Sequence, residues 1–166
     1  KDDLISKYNL SEKNISVIYN PVYNDSIIQS SNKKDIDAKV INTPYIVTVG
    51  RLVKQKNYFN LIAAFKILLE SKTINNINLV IIGEGKEKNN ILQLINQLKI
   101  NNYVNLMGFL HNPFPIIKNS VAVVLSSDWE GLPTILIEAL SLKKQIVSTD
   151  CPNGPREILD HGKYGL

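Results

Sequence analysis

A chain of 166 residues, 44% hydrophobic and 20% charged, is long enough for one domain with a real core. It holds no apolar run of membrane-spanning length and no secretory leader pattern at its start. The net charge of +4 permits attraction to phosphates or an anionic surface, but the lysines are dispersed without stacking aromatics among them, so no nucleic-acid partner is expected.

In chain order, Ser16 to Tyr19 reads as a short strand ended by Asn20-Pro21, and the polar stretch from Asp25 to Asn42 as a loop or linker. Tyr45 to Val49 is a β-branched strand stopping at Gly50. Tyr58, Leu61, Ile62, Phe65, Leu68 and Leu69 recur at helical spacing, which predicts a helix over 57–71. Leu79 to Ile82 is a second strand, closed by Gly83, and Ile91, Leu94, Ile95 and Leu98 mark a second helix. Tyr103 to Met107 is a third strand, Pro113 to Asn119 a short helical turn, and Val121 to Leu125 a fourth strand. A helix from Pro133 to Lys143, a strand from Gln145 to Thr149 and a helical piece from Pro155 to Asp160 complete the series.

Short, almost wholly apolar strands alternating with helices predict an α/β fold, a parallel sheet covered by helices on both faces. In such sheets ligands bind outside the carboxyl ends of the strands. Five loops fall there: Gly50-Arg51, Gly83-Glu84, Phe109-Leu110, Ser126 to Gly131, and Asp150 to Gly154.

Two of these loops carry residue types suited to a phosphorylated, hydroxyl-rich ligand. Gly50 permits a tight turn, Arg51 offers a planar fork of donors and Lys56 a point charge, ahead of a helix start with free N–H groups. The spacing is not that of a Walker loop, and Gly83-Glu84-Gly85 lacks the third glycine of a dinucleotide fingerprint, so it reads as a strand-end turn. Glu130 and Glu138 flank a Gly-Leu-Pro turn, and Glu138 sits inside an apolar run where a lone charge is costly. Eight helical residues rise ~12 Å, farther apart than paired glycosidase carboxylates, which favours contacts to two parts of one long ligand. Asp35-Ile36-Asp37 spells Asp-x-Asp but reads as solvated surface. His111 and His161 have no partner at metal-ligand spacing, and no metal or other cofactor is expected. Cys151, the single cysteine, reads as inert packing.

Taken in order, Asn20-Pro21-Val22, Gly50-Arg51 with Lys56-Asn57, Ile82 to Gly85, Gly108-Phe109, Ser126 to Leu140, and Asp150 to Glu157 resemble the family 4 retaining glycosyltransferases of two-domain GT-B architecture. The resemblance implies a carboxyl-terminal, Rossmann-like, nucleotide-sugar-binding domain over 44–166. Residues 1–43 would be an interdomain strand and linker region belonging to the same domain, and the acceptor domain would be absent from this chain. It implies that Glu138 holds ribose hydroxyls, that Glu130 approaches the donor sugar, and that Arg51 and Lys56 neutralise the diphosphate. Gly50 and the backbone of Gly131, Leu132, Pro133 and Thr134 would contact phosphates or sugar, and Phe109 and Leu110 would line the base. The Cys-Pro-Asn-Gly-Pro-Arg-Glu variant is similar to bacterial enzymes that build surface glycans from uridine diphosphate N-acetylhexosamine.

Tyr23 departs from the pattern, which often places an acidic residue after Asn-Pro-Val. The expected partners are a nucleotide-sugar donor and a glycan or lipid-linked acceptor, with peripheral membrane contact of the full protein at the inner face and a cytoplasmic location. The alternative from a different class is a nucleotide-sensing module without transfer activity.

Overall fold

The structure, a computed structural model, describes residues 2–33, 43–71, 73–74 and 76–166. The Asp35-Ile36-Asp37 stretch therefore lies outside the described residues. Helix α1 (Asp2–Tyr8) and helix α2 (Ser26–Ser31) precede strand β1 (Tyr45–Val49). There follow α3 (Tyr58–Glu70), β2 (Asn78–Ile82), α4 (Lys88–Gln97), β3 (Val104–Gly108), α5 (Phe114–Asn119), β4 (Ala122–Leu125), α6 (Thr134–Ser141), β5 (Gln145–Ser148) and α7 (Pro155–Ile158).

The five strands form one parallel sheet in the order β3-β2-β1-β4-β5, a Rossmann-like arrangement. The side-chain pleat explains why the strands read as unbroken apolar runs. In β2, Val80 and Ile82 enter a core with Tyr45, Val47, Ile117, Val123 and Leu136. Leu79 and Ile81 enter a second core on the other face, with Ile62, Phe65, Ile91 and Ile95. Each strand face meets its own helix layer, α5 and α6 on one side, α3 and α4 on the other. Chain direction reverses its march across the sheet between β1 and β4, and the loops leaving those two strands open the crevice that holds the candidate site.

Two expectations fail near the amino terminus. Ser16 to Tyr19 is not a strand. Its residues pair with no sheet edge, and Val17, Ile18 and Tyr19 are exposed. The phenol of Tyr19 instead donates to Glu157 Oε1 at the start of α7. Within the stretch expected to be a loop, residues 26–31 form helix α2. Its sequence, SIIQSS, has little intrinsic helical drive. Tertiary packing supplies it: Ile27 is buried against the neighbouring helices, and Ser30's carbonyl accepts from Asn112 Nδ2 at 3.0 Å. Among the described residues no helix is long and apolar enough to cross a membrane.

Candidate functional site

The loop after β1 is shaped by backbone contacts with the neighbouring loops. Gly50 N–H donates to Ile82 O at 2.9 Å, Leu52 N–H to Glu84 O at 2.9 Å, and Gly83 N–H to Gly108 O at 2.7 Å. Gly83 has φ +145°, and a Cβ there would stand 1.9 Å from the Gly50 carbonyl oxygen. One on Gly85 would stand 2.3 Å from the Leu52 carbonyl oxygen. The Gly-Glu-Gly turn therefore does more than end a strand: it lets the β1 loop lie flat on the β2 loop.

Beyond Arg51 the chain makes a 3-10 turn (Lys54–Lys56) and enters α3 through Asn57, which is left-handed at φ 43°. The Asn57 side chain accepts from Asn60 N–H at 3.2 Å. That helix start is thus already partly capped, and it offers a ligand less than the sequence suggests.

The same turn is laced to the loop after β4. Gln55 O accepts from Asp128 N–H at 2.9 Å, Gln55 Nε2 donates to Trp129 O at 2.8 Å, and Asn57 Nδ2 donates to Asp128 Oδ1 at 2.7 Å. Ser126 Oγ donates to Lys56 O at 2.8 Å. These bonds hold Lys56 and Glu130 together: Nζ lies 2.6 Å from Oε1, with the carboxyl side chain only 7% exposed. Ser127 Oγ donates to the same carboxylate oxygen, and Thr149 Oγ1 holds the Ser127 carbonyl at 2.6 Å. From the other side, Glu130 N–H donates to Pro152 O at 3.3 Å. Glu130 is in a loop, as expected, and it is buried.

Glu138 lies one turn into α6, half-buried. Burial raises its carboxyl above the usual carboxylate value, and a hydrogen bond with the Thr134 side chain partly offsets this. Arg51 is exposed and forms no ion pair among the described residues.

One cleft of about 440 Å³ gathers Gly50, Arg51, Lys56, Phe109, Leu110, Glu130, Leu132, Pro133, Thr134 and Glu138. A second hollow of about 330 Å³ adjoins it. Gly50, Arg51, Phe109 and Leu110 are shared walls, and Ile82, Gly83 and Glu84 close the far side. Of the residues named from sequence, Gly131 does not line the cleft. It sits on the rim, where Gly154, at φ +77°, approaches so closely that a Cβ would stand 2.6 Å from the Gly131 carbonyl oxygen.

The cleft also takes in Gln55, His111, Phe114 and Ile135, which sequence reasoning did not assign to it. His111 was visible as one of two histidines, but nothing in its spacing marked it. It packs edge-on to Phe109, with ring centroids 5.1 Å apart. Cys151, in the loop after β5, is buried, and burial pushes its thiol up, away from the reactive thiolate.

An uncharacterized glycosyltransferase of Methanocaldococcus jannaschii is 37% identical to this chain, over 98% of it and 44% of the relative. The N-acetylgalactosamine-N,N'-diacetylbacillosaminyl-diphospho-undecaprenol 4-alpha-N-acetylgalactosaminyltransferase of Campylobacter jejuni is 33% identical, over 99% of this chain and 43% of the relative. The chain thus spans less than half the length of these curated relatives. Among solved structures, a glycosyltransferase from Rickettsia africae superposes with a TM-score of 0.82 at 20% identity, covering 99% of this chain and 45% of that one. That likeness agrees in fold with the Rossmann-like half of a GT-B enzyme. The family model described as glycosyl transferases group 1 matches residues 29–166, and the chain belongs to that family.

Proposed function

We propose that this chain is the donor-binding half of a retaining glycosyltransferase. It would move a hexosyl or N-acetylhexosaminyl group from a uridine diphosphate sugar to a glycan or lipid-linked acceptor. The observation that carries the reading is the single cleft lined by Arg51, Lys56, Glu130 and Glu138 at the carboxyl ends of the strands. Family membership supports transfer chemistry, and the lipid-linked acceptor in the name of the Campylobacter relative supports an acceptor of that class.

Cleaving the bond between an anomeric carbon and a diphosphate leaves negative charge on phosphate oxygen. Preorganised cations and N–H groups lower that barrier without rearranging. Arg51 is free to swing onto the diphosphate as a bidentate donor. Lys56 is held at a defined height by Glu130, so an arriving diphosphate meets an ammonium already oriented. Thr134 begins α6, whose first N–H groups face the cleft end where Leu132 and Pro133 lie. Glu138, half-desolvated, accepts hydroxyl hydrogens of the ribose. Glu130 orients Lys56 and borders the sugar. The acceptor oxygen bonds the anomeric carbon as the carbon–oxygen bond to phosphate breaks on the same face. The electron pair stays on the diphosphate, which also receives the acceptor's proton.

Calorimetric titration with uridine, uridine diphosphate and uridine diphosphate sugars tests the reading. Binding of the diphosphate, strengthened by the sugar, is expected. No affinity for any nucleotide diphosphate would reject it, and a sugar that adds nothing would favour a nucleotide sensor.

A further inference from the structure

Tyr58 is 2% exposed and sits at the start of α3 among Leu61, Ile62 and Phe65, where a phenyl ring would pack as well. Its hydroxyl is nevertheless used. It donates to the Gly50 carbonyl oxygen at 3.0 Å, and Thr48, a buried threonine on β1, is near enough to offset part of the upward push that burial gives the phenol. A Cβ on Gly50 would stand 3.3 Å from both this hydroxyl and Lys56 Cε, so the phenol and the lysine stem both close on Gly50. The phenol is also close enough to Glu130 to feel its charge.

The consequence follows from peptide geometry. In a planar trans peptide the carbonyl of one residue and the N–H of the next point in opposite directions. With the Gly50 carbonyl drawn inward onto Tyr58, the Arg51 N–H is turned away from the core. Gly50 N–H is held on Ile82 O at 2.9 Å and Leu52 N–H on Glu84 O at 2.9 Å, so the peptides on either side are fixed as well.

We propose that Tyr58 is a positioning residue for the diphosphate: through the Gly50 carbonyl it sets the plane of the Gly50–Arg51 peptide, and so aims the Arg51 N–H and side chain at the phosphoryl oxygens. This rests on the donor-binding reading and adds to it a residue outside the cleft wall.

The test is Tyr58→Phe in this chain, with uridine diphosphate and uridine titrated separately by calorimetry and the thermal midpoint recorded. Loss of one hydrogen bond predicts about a two- to tenfold drop in affinity for the diphosphate, with uridine binding unchanged. Thr48→Val, which leaves the ring in place, is expected to show the same selectivity with a smaller drop, and it stands in if the phenylalanine variant fails to fold. Equal losses for both ligands, or none for either, would overturn the positioning role. If the unsubstituted chain binds uridine but not its diphosphate, the donor-binding reading itself falls and takes this inference with it.

Discussion

The Lys56 ammonium lies 2.6 Å from Glu130 Oε1, joining two loops 74 positions apart in sequence. Their side chains are 15% and 7% exposed, so neither charge is well solvated. The arrangement resists removal of one partner more than removal of both, because a buried charge left alone is costly. Lys56→Met should therefore lower unfolding stability by about 3 kcal/mol in urea. Glu130→Gln keeps an acceptor for both Lys56 and Ser127 and should cost about 1–2 kcal/mol. Equal costs would mean that shape, not charge, dominates the pair.

Arg51 presents the opposite case. It is exposed and unpaired among the described residues, so Arg51→Ala should leave stability within about 0.5 kcal/mol. Its effect belongs to the ligand. Loss of a charge-assisted contact predicts about a ten- to hundredfold weaker grip on uridine diphosphate, with little change for uridine. Parallel loss of both ligands would remove Arg51 from the phosphate.

Glu138 gives a pH signature. Burial raises its carboxyl above the ordinary carboxylate value, so the folded chain keeps that proton to higher pH than the unfolded chain does. Between the unfolded value and the raised one the folded state binds more protons, and stability falls as pH rises through that window. If Glu138 holds the ribose as proposed, the hydroxyls stabilise the ionised form, and uridine binding should strengthen as pH rises through the same window. Glu138→Gln should flatten that dependence, and Glu138→Ala should weaken uridine diphosphate binding by about ten- to hundredfold. A pH profile that survives both substitutions would place the ribose elsewhere.

Gly154 sits at φ +77°, with the Pro133 Cδ 2.4 Å and the Gly131 carbonyl oxygen 2.6 Å from where a Cβ would stand. Gly154→Ala adds backbone strain to overpacking and should destabilise by about 2–4 kcal/mol. It pushes on the turn that begins α6, so nucleotide binding should fall in the variant even below its melting range. Retained stability and affinity together would show that the two loops slide apart freely.

Much of this architecture was legible. The strands β1, β2 and β4 were read almost to the residue, because strands buried on both faces advertise themselves as apolar runs. Arg51, Lys56, Glu130 and Glu138 could be grouped because strand ends converge on one rim. What stayed hidden depends on contacts between distant segments. Helix α2 exists because Ile27 finds a pocket between other helices, and its own six residues carry little sign of it. The Ser16–Tyr19 stretch looked like a strand because β-branching suits strands, yet a strand needs a neighbour, and none accepts it. The pairing of Lys56 with Glu130 is equally invisible in the sequence: each residue type suits a separate task, and only the lacing of Gln55 and Asn57 to Asp128 and Trp129 brings them together. His111 and Gln55 enter the cleft by the path of their loops, which no periodicity encodes.

The three backbone bonds that tie Gly50, Leu52 and Gly83 to neighbouring turns use no side chain. Their strength is therefore indifferent to which residues are displayed above them. Phe109 and Trp129 stand 66% and 54% exposed in loops beside that ledge, and neither side chain supplies one of its three bonds. A scaffold built this way separates what must be inherited unchanged from what is open to novelty, so the exposed side chains can drift while the ledge under them is left alone.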